Sequence, residues 1–415
     1  MHILFLSDNF PPEVNAPANR TYEHTREWVK LGYSVTVITC APNFPHGRTY
    51  SGYNNKLWQV ETIDNIRVIR VWTYMAPNEG FVKRLFDFLS FAIASFFASF
   101  FVRKVDVIIG TSPQFFTTVS AWLISIFKRI PFIFELRDLW PESIKAVGVL
   151  EDSWILDGFE KLELFLYRKA AAIISVTHSF KDNLISRGIA AEKIFTITNG
   201  VDLSDFFVFP KDTLLIDKLR LQNKFVVGYV GTHGLAHSLD TILGAAEILQ
   251  SSKKANDIHF IFVGDGAAKN DLVKMANHLQ LKNTTFLDTV SREQVACYWS
   301  ILDIAIVHLR KTDLFKSVIP SKMFECMAMG VPILHGVAGE SAKIIEENKV
   351  GILVEPENPI EIAERLIAIK DDRELLARLG QNALEAKVKY DRKKLAIEML
   401  NVIASTVKAQ TEKRL

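Results

Sequence analysis

Short apolar runs rich in β-branched residues alternate along the chain with longer segments of helical period. Such runs are typical of strands that are buried on both faces of a parallel sheet, with the intervening segments forming the covering helices. The pattern predicts the α/β class, with doubly wound, Rossmann-like sheets. The runs are HILFLS, SVTVIT, VDVIIG, PFIFEL and AIISVT in the first half, and FVVGYVG, IHFIFVG, LDIAIV and VPILH in the second.

The alternation stops near residue 203 and restarts with the run FVVGYVG, and 415 residues are too many for one ordinary core. We therefore predict two Rossmann-like domains that face each other across a cleft. The predicted division is a first domain over 1–203, a linker over 204–223, a second domain over 224–395, and a last helix over 396–415 that can pack back on the first domain.

Charge and cysteine content limit the class of partner and the compartment. The 49 basic and 47 acidic residues nearly cancel, so nothing in the overall charge demands a nucleic acid. The three cysteines show neither metal-ligand nor CxxC spacing, which fits reduced thiols. The first residues lack the basic segment and cleavage site of a signal peptide. We expect a cytoplasmic protein.

The turn after the first strand, SDNFPPEVNAPANR, contains no GxGxxG, and the chain has no GxxxxGK[ST] loop. Dinucleotide and P-loop nucleotide chemistry therefore lose support. The prolines of this turn stiffen it and present Glu13, Asn15 and Arg20 as hydrogen-bonding groups. These residues alone allow either a binding loop or a purely structural one.

A second turn, VVGYVGTHGLAHSL, contains Gly231 and Gly234, which permit close backbone approach and amide donors aimed at an anion. His233 and His237 add donors that can be neutral or charged near pH 7. A metal held by this histidine pair would lack a third ligand nearby, and the chain has no DxD pair that would hold Mg²⁺. We expect neither a metal nor any other cofactor.

A third turn, IHFIFVGDG, places Asp265 between Gly264 and Gly266 at the end of a strand. Two interpretations stay open for these three residues. They form a tight turn between strand and helix, or they offer a backbone edge that binds the flat face of a base.

The segment FKSVIPSKMFECMAMG predicts a helix of about ten residues that begins at Pro320 and ends at Gly330. The amides near Ser321 and Lys322, together with the helix dipole, favour an anion such as phosphate. Lys322 would supply the positive charge that a leaving diphosphate needs. Glu325 lies one turn further on the same face and would accept hydrogen bonds from ribose hydroxyls. The alternative is an exposed Lys–Glu pair with no function.

PSKMFECMAMGVPIL and ITNGVDLSDFF resemble the glycosyltransferases of family 4, which have the GT-B fold, and the resemblance spans nearly the whole chain. DNFPPEVNAPANRTYEHTREW, FELRDLWPES and GTHGLAHSLDTIL are similar to the bacterial UDP-N-acetyl-L-fucosamine transferases of surface polysaccharide synthesis, such as O-antigen or capsule. The resemblance implies a metal-independent site, a UDP-sugar donor bound mainly by the second half, and transfer with retention of anomeric configuration.

The resemblance also assigns roles to particular residues. Glu325 matches the second acid of the paired-glutamate motif, which binds ribose, and Lys322 lies in the phosphate-binding helix. The Gly264–Gly266 turn and the loop at Val290 match the base-binding turns. Asn199, Gly200 and Asp202 match the end of the first domain.

Three departures from the family pattern are visible. Ser317 occupies the position of the first acid of the paired-glutamate motif, eight residues before Glu325. The usual phosphate-binding Arg and Lys fall at Thr232 and His237. The residues proposed to supply the lost charge are His237, Arg310 or Lys316. Where many relatives have His-Asp, this chain has Arg137 and Asp138; Asp138 is a candidate acid at the acceptor hydroxyl and Arg137 a candidate ligand of phosphate or acceptor, with a structural salt bridge as the alternative.

Thirteen of the 29 phenylalanines fall between Phe81 and Phe134, where the 15 uncharged residues 88–102 are too few to span a bilayer. Basic residues flank these apolar segments, as suits anionic head groups: Lys83, Arg84, Arg103, Lys104, Lys128 and Arg129. We expect peripheral binding to the inner face of the cell membrane and a polyprenyl-diphosphate-linked acceptor. The alternatives are a buried helix here, and for the whole chain a UDP-sugar 2-epimerase or a non-catalytic partner of an assembly complex.

Overall fold

The computed structural model describes residues 1–44, 46–76, 81–139 and 154–412, apart from the side chains of Phe81, Val82, Ile155 and Arg292. The chain divides into two α/β units. One comprises residues 1–198 and those from 392 onward, and the other comprises 199–391. The class predicted from the sequence is confirmed in both units. The division lies at Asn199 and Arg392, whereas the sequence analysis placed it at 203 and 395.

The first unit is built on a mainly parallel sheet whose strand order, among the described residues, is β3-β4-β2-β1-β5-β6-β7-β8. The strands are β1 (His2–Leu6), β2 (Ser34–Cys40), β3 (Trp58–Ile63), β4 (Ile66–Val71), β5 (Val107–Thr111), β6 (Phe132–Leu136), β7 (Ala172–Ser175) and β8 (Ile194–Thr196). The helices are α1 (Ala16–Lys30), α2 (Phe81–Ser99), α3 (Phe115–Lys128), α4 (Trp154–Lys169) and α5 (His178–Ser186), followed by a 3₁₀ turn at Ala191–Lys193. The order reverses at β1, which lies between β2 and β5, and a ligand crevice is expected there.

Strands β3 and β4 form an antiparallel hairpin at the edge of this sheet. Asp64 and Asn65 both have positive φ, as the two central residues of a type I′ hairpin require. The sequence analysis missed both strands because β3 alternates partly buried and exposed residues, and β4 carries Arg67 and Arg70. The prediction of parallel pairing alone was therefore wrong at this edge.

The last helix, α14 (Arg392–Glu412), belongs to the first unit. The Trp28 indole nitrogen donates a hydrogen bond of 2.8 Å to the Ala396 carbonyl, and the Arg392 Nε atom lies 2.6 Å from a Glu23 carboxylate oxygen. Leu395 and Met399 lie in the same buried cluster as Trp28. The return of the chain to its first unit is thus held by both apolar packing and polar contacts.

The second unit contains a parallel sheet in the order β11-β10-β9-β12-β13-β14 among the described residues. Its strands are β9 (Phe225–Val230), β10 (Ile258–Val263), β11 (Thr284–Leu287), β12 (Ile304–His308), β13 (Ile333–Gly336) and β14 (Gly351–Leu353). Its helices are α6 (Thr213–Leu219), α7 (Leu239–Gln250), α8 (Lys269–His278), α9 (Arg292–Ser300), α10 (Lys322–Met329), α11 (Glu340–Asn348), α12 (Pro359–Ile369) and α13 (Arg373–Ala386). Short 3₁₀ turns lie at Leu235–His237, Leu314–Ser317 and Lys387–Tyr390. Here the strand order reverses at β9, between β10 and β12.

Helices α2 and α3 pack against the first sheet but also expose large apolar side chains. We call Phe97, Phe100, Phe101, Ile126 and Phe127, all exposed, the aromatic patch. The ring of Phe100, directly after α2, lies 6.0 Å from the ring of Phe127 in α3. None of the helices within the described ranges combines the length and the hydropathy needed to cross a membrane.

Candidate functional site

The ammonium group of Lys322 is buried at the start of α10. Its Nζ atom has no hydrogen-bond partner in the part of the chain that the structure describes, and it lies 3.6 Å from the centre of the Tyr229 ring. Burial lowers the pKa of Lys322 from 10.5 to about 7, while the neighbouring Glu325 acts in the opposite direction. A desolvated cation without an acceptor is costly to keep, so this nitrogen is poised for an anion that the protein itself does not supply.

The helix that carries Lys322 is close to the predicted one. It begins at Lys322, two residues after Pro320, and stops before Gly330, whose φ of 69° is left-handed. It therefore has 8 residues, fewer than the ten expected. Ser321 directly precedes the helix, and its side chain makes no capping bond. The first amides of α10 thus lie beside the buried ammonium, and both favour a negative charge.

The turn after β9 lies directly against this ammonium. A Cβ atom added to Gly231 would lie 2.9 Å from Lys322 Nζ, so no larger side chain fits between them unless the lysine moves. The hydroxyl of Tyr229 donates a hydrogen bond of 2.7 Å to the Thr232 carbonyl and so ties the turn to its own strand. Thr232 itself is exposed.

The turn after β10 packs on the turn after β9. A Cβ atom at Gly264 would lie 2.0 Å from the Gly231 carbonyl oxygen, and one at Gly266 would lie 2.6 Å from that of His233. The His233 amide donates to the Asp265 carbonyl at 2.8 Å. Close contact between the two turns explains both glycines, and Asp265 is exposed at their edge. Base binding by this edge stays a prediction.

The two histidines of the site are neutral at pH 7. His233 is fully buried among aromatic rings, and burial lowers its pKa to about 4, with Lys269 and Lys322 acting in the same direction. Burial, then the charge of Lys322, lowers the pKa of His237 to about 3. Of the two states left open by the sequence, the charged one does not apply near pH 7. Without a bound anion, His237 therefore adds no positive charge at pH 7, and the assignment of the missing charge to His237, Arg310 or Lys316 stays a prediction.

Glu325 is half-buried, and its Oε2 atom accepts a hydrogen bond of 3.0 Å from the Trp299 indole nitrogen. The alternative of an exposed Lys–Glu pair is wrong, because the Lys322 nitrogen is buried. Ser317 ends the 3₁₀ turn Leu314–Ser317, and its hydroxyl donates to the Leu314 carbonyl at 2.7 Å. Val290 lies in the loop after β11 and packs against the hydrophobic core.

Arg137 and Asp138 lie in the first unit, directly after β6. Their backbone amides point to the Ser112 hydroxyl oxygen, at 2.9 Å and 3.3 Å respectively. The Arg137 guanidinium donates to the Pro17 carbonyl at 3.2 Å, and burial lowers its pKa to about 10. Asp138 is half-buried at the carboxyl end of the sheet. Its role at an acceptor hydroxyl stays a prediction.

The polar residues of the first loop all make structural contacts. Asn15 caps α1 by accepting from the Ala18 amide at 2.8 Å. The Glu13 Oε1 atom accepts hydrogen bonds from two backbone amides of residues 43 and 44, at 2.7 Å and 2.9 Å. The Arg20 Nε atom lies 2.8 Å from a Glu135 carboxylate oxygen, with both side chains 1% exposed. Of the two alternatives left open for this loop, these contacts favour the structural one.

Several side chains that shape these sites were not singled out from the sequence. Tyr229 and Trp299 read as ordinary core aromatics, and only their contacts with Lys322 and Glu325 give them another role. In the first unit, the Gln114 amide donates to the Asp8 carboxylate, and these residues follow β5 and β1, where the strand order reverses. The signal available beforehand was the position of each polar residue just after a predicted strand.

Comparison with known families covers most of the chain. Residues 18–205 match the model described as Glycosyltransferase Family 4, and residues 211–386 match the model described as Glycosyl transferases group 1. The putative colanic acid biosynthesis glycosyl transferase WcaI of Escherichia coli strain K12 is 26% identical over 345 residues, which are 80% of this chain and 82% of that protein. The alpha-D-kanosaminyltransferase of Streptomyces kanamyceticus is 27% identical over 221 residues, 52% of this chain and 55% of that protein.

Solved structures show the same fold at low sequence identity. Anabaena HepE in complex with UDP is 17% identical, with a TM-score of 0.71 over 98% of this chain and 100% of that one. WaaG, a glycosyltransferase involved in lipopolysaccharide biosynthesis, is 12% identical, with a TM-score of 0.70 over 97% of this chain and 99% of that one. Their fold is the GT-B fold predicted from the sequence.

Proposed function

Because this chain is a glycosyltransferase of the GT-B fold, with a Family 4 domain followed by a group 1 domain, we propose that it uses a UDP-sugar donor to glycosylate a lipid-linked saccharide in bacterial surface polysaccharide synthesis. The observation that carries the proposal is the buried Lys322 ammonium, which has no hydrogen-bond partner in the described ranges. A diphosphate leaving group brings the negative charge that this nitrogen lacks.

The second unit binds the donor in this proposal. Lys322 and the amides at the start of α10 stabilise the charge that develops on UDP as it leaves, which is usually the largest single contribution to such catalysis. Glu325, oriented by Trp299, accepts hydrogen bonds from the ribose hydroxyls. The Gly264–Gly266 turn and the loop at Val290 contact the base. Anabaena HepE, which shares the fold, was crystallised with UDP and with UDP-glucose, which supports the choice of nucleotide.

The proposed reaction needs no metal and retains anomeric configuration. The chain contains no DxD pair to hold Mg²⁺ under a diphosphate, and Lys322 takes that electrostatic role. The bond from the sugar C1 atom to the UDP oxygen breaks as a bond to the acceptor oxygen forms. The acceptor proton passes to the departing phosphate oxygen, so no separate base is required, and Asp138 orients the acceptor hydroxyl.

The proposed donor sugar is N-acetyl-L-fucosamine, on the resemblance of the sequence to transferases of that sugar. Ser317 stands where the broader family has an acid, and we assign to this position a part in the choice of sugar. Its hydroxyl is engaged with the Leu314 carbonyl. A serine there offers a short neutral contact in place of a charged one.

The proposed acceptor is carried on a polyprenyl diphosphate at the inner face of the cell membrane. The aromatic patch exposes Phe97, Phe101 and Phe127 by 61–69% of their surface. Basic residues lie beside it at 103, 104, 128 and 129. Apolar rings with a basic rim fit an anionic bilayer surface, where each cation contributes about 1 kcal/mol.

A donor screen tests the activity. The protein is incubated with a panel of UDP-sugars and a polyprenyl-diphosphate-linked saccharide, and the products are identified by mass spectrometry. A glycosylated lipid is the expected product. An isomerised donor would indicate an epimerase instead, and unchanged reactants throughout the panel would favour a non-catalytic partner of an assembly complex.

Flotation with liposomes tests the membrane proposal separately. The protein should rise with anionic liposomes at low salt and remain below with neutral ones. Phe97→Asp combined with Phe127→Asp should abolish flotation. Leu214→Asp is the matched control, because Leu214 is 81% exposed but lies in the second unit. Equal flotation of both variants would contradict binding through the aromatic patch.

A further inference from the structure

We propose that Tyr229 is a positioning residue for the donor diphosphate, because its ring holds the ammonium group of Lys322 and its hydroxyl holds the turn that contains Gly231. The inference rests on the proposed function, since it names how the diphosphate site is kept ready before the donor arrives. Neither the ring nor the hydroxyl needs to touch the substrate for this role.

The ring of Tyr229 stabilises the buried ammonium group of Lys322 through a cation–π contact. Lys322 Nζ lies 3.6 Å from the ring centre, well inside the distance of about 6 Å over which a cation is attracted to an aromatic face. A carboxylate in the same place would bind the ammonium tightly and compete with an incoming phosphate. An aromatic face attracts the cation more weakly, so the ammonium can be given up to a diphosphate.

The hydroxyl of Tyr229 acts on the other side of the same contact. It donates to the Thr232 carbonyl at 2.7 Å, and this bond closes the turn that follows β9. Gly231, in that turn, packs against Lys322 Nζ. The turn that contains Gly264 packs against the Gly231 carbonyl. One side chain thus connects the cation, the glycine turn and, through the turn, its neighbour.

Lys269, a second cation close to these turns, is already engaged. Lys269 Nζ donates to the Gly264 and Leu287 carbonyls, at 2.9 Å and 3.1 Å, and pairs with Asp288 at 2.6 Å. With His233 and His237 neutral before a ligand binds, the position of the buried Lys322 ammonium contributes directly to the attraction of a diphosphate to these turns. A residue that fixes the position of this nitrogen therefore fixes the phosphate site.

The described groups around Lys322 whose pKa is shifted all titrate outside the range from pH 5 to 9. From the strand and turn, burial holds the pKa of Tyr229 well above 10 and those of His233 and His237 at about 4 and 3. From α10 itself, Glu325 faces the lysine, and burial holds the pKa of the Cys326 thiol well above 9. Affinity for UDP over this range should thus follow protonation of Lys322.

Calorimetric titration of UDP from pH 5 to 9 separates the two contributions of Tyr229, because the ionisation of the terminal phosphate of UDP is common to every variant. The wild-type affinity should decline above a break near pH 7, because the ammonium is the form that binds the anion. Tyr229→Leu removes the face that stabilises the ammonium, so the break should move down by about one pH unit and the affinity at pH 8 should fall about tenfold. Tyr229→Phe keeps the ring, so the pH dependence of UDP affinity should break near pH 7 as in the wild type. Its UDP affinity should fall only a few-fold, because the hydroxyl is lost.

Two controls distinguish positioning from a general loss of structure. Uridine lacks the diphosphate, so its affinity should be the same in wild type and Tyr229→Leu. Tyr390→Leu removes another ring that packs near α10, 4.6 Å from Phe324, and should leave the break unchanged. If Tyr229→Leu does not fold, as thermal melting would reveal, Tyr229→Met replaces it, because the flexible methionine side chain fills an irregular gap more readily.

The experiment distinguishes failure of the positioning role of Tyr229 from failure of the proposed UDP-sugar donor. A wild-type protein that binds no UDP overturns the proposed donor, and the inference with it. Normal UDP binding with an unchanged or raised break in Tyr229→Leu overturns the positioning role alone. NMR titration of the ¹³Cε signal of Lys322 measures the same break without ligand, and an equal pKa in wild type and Tyr229→Leu would likewise contradict the proposal.

Discussion

The indole nitrogen of Trp299 donates a hydrogen bond of 3.0 Å to the carboxylate of Glu325, which links helices α9 and α10 across 26 residues of sequence. Trp299 is fully buried, whereas Glu325 is half-buried and lies in the first turn of α10. A rigid donor beneath a partly exposed carboxylate restricts its orientation. This is the arrangement expected of a group that has to meet a pair of hydroxyls at fixed spacing.

Glu325→Ala should weaken UDP binding about tenfold, because hydrogen bonds between hydroxyls and a carboxylate are lost. Calorimetry with UDP and 2′-deoxy-UDP gives the readout: the wild type should prefer UDP, and the variant should bind both equally weakly. Trp299→Phe is the control, since it keeps the Glu325 carboxylate and removes the indole donor that orients it. A smaller loss of UDP affinity is expected. Equal UDP affinity in wild type and Glu325→Ala would count against a ribose contact.

Lys322→Met should lower kcat about a hundredfold, because the charge that stabilises departing UDP is removed. The same change should not lower the melting temperature, because methionine occupies a similar volume without a buried, unpartnered ammonium. Steady-state kinetics and thermal melting on one preparation check both statements. Unaltered turnover would remove Lys322 from the proposed mechanism.

The stability of the wild type relative to Lys322→Met should rise between pH 7 and 9. Burial holds the pKa of Lys322 at about 7 in the folded protein, below its ordinary value of 10.5. Between these values the unfolded chain binds more protons than the folded one, so folding becomes more favourable as pH increases. Other titrating groups are common to both proteins. Urea unfolding at several pH values measures the difference, and a constant or falling difference would be inconsistent with a buried lysine of lowered pKa.

Arg20→Leu should destabilise the fold by about 3–5 kcal/mol, because it leaves the buried Glu135 carboxylate without its partner. The double change Arg20→Leu with Glu135→Leu should recover part of that loss, since the unpaired carboxylate is removed, while Arg137 loses a neighbouring negative charge and the Ile197 and Thr198 carbonyls lose the Arg20 donor. Denaturant unfolding gives the free energies. The KM for the acceptor should be unchanged in the folded variants, and a raised acceptor KM in the stable double variant would restore the binding role first considered for Arg20.

Asp138→Asn should lower kcat by one to two orders of magnitude without changing UDP affinity, because Asp138 is proposed to orient the acceptor and lies in the unit that does not carry the donor residues. Asp138→Glu, which keeps the charge on a longer side chain, is the control and should retain more activity. Kinetics with varied acceptor, with UDP calorimetry alongside, measure both effects. Turnover equal to that of the wild type would favour a structural role for this aspartate.

The sequence was sufficient to predict a feature wherever all the residues that define it lie in one helix or strand. β1 and β9 are continuous apolar runs because both faces of each strand are covered, and such runs are visible without a structure. Lys322 and Glu325 share one short helix, so their proximity follows from helical spacing. The hairpin of β3 and β4 was missed because an edge strand need bury only one face. In β4, Arg70 is buried through bonds to the Cys40 and Pro11 carbonyls, which no periodicity reveals.

The α/β class, the two Rossmann-like units and the positions of the strand-end turns could all be predicted from the sequence, because apolar periodicity and turn chemistry are properties of neighbouring residues. The chemical state of the candidate site, in contrast, became visible with the folded structure. The Tyr229 ring contacts the Lys322 ammonium, the Trp299 indole donates to Glu325, and His233 and His237 are neutral. Each of these features depends on burial among segments that are distant in sequence. The pKa of a side chain and the partner of a carboxylate follow from what surrounds them in space, and the order of residues along the chain does not contain that information.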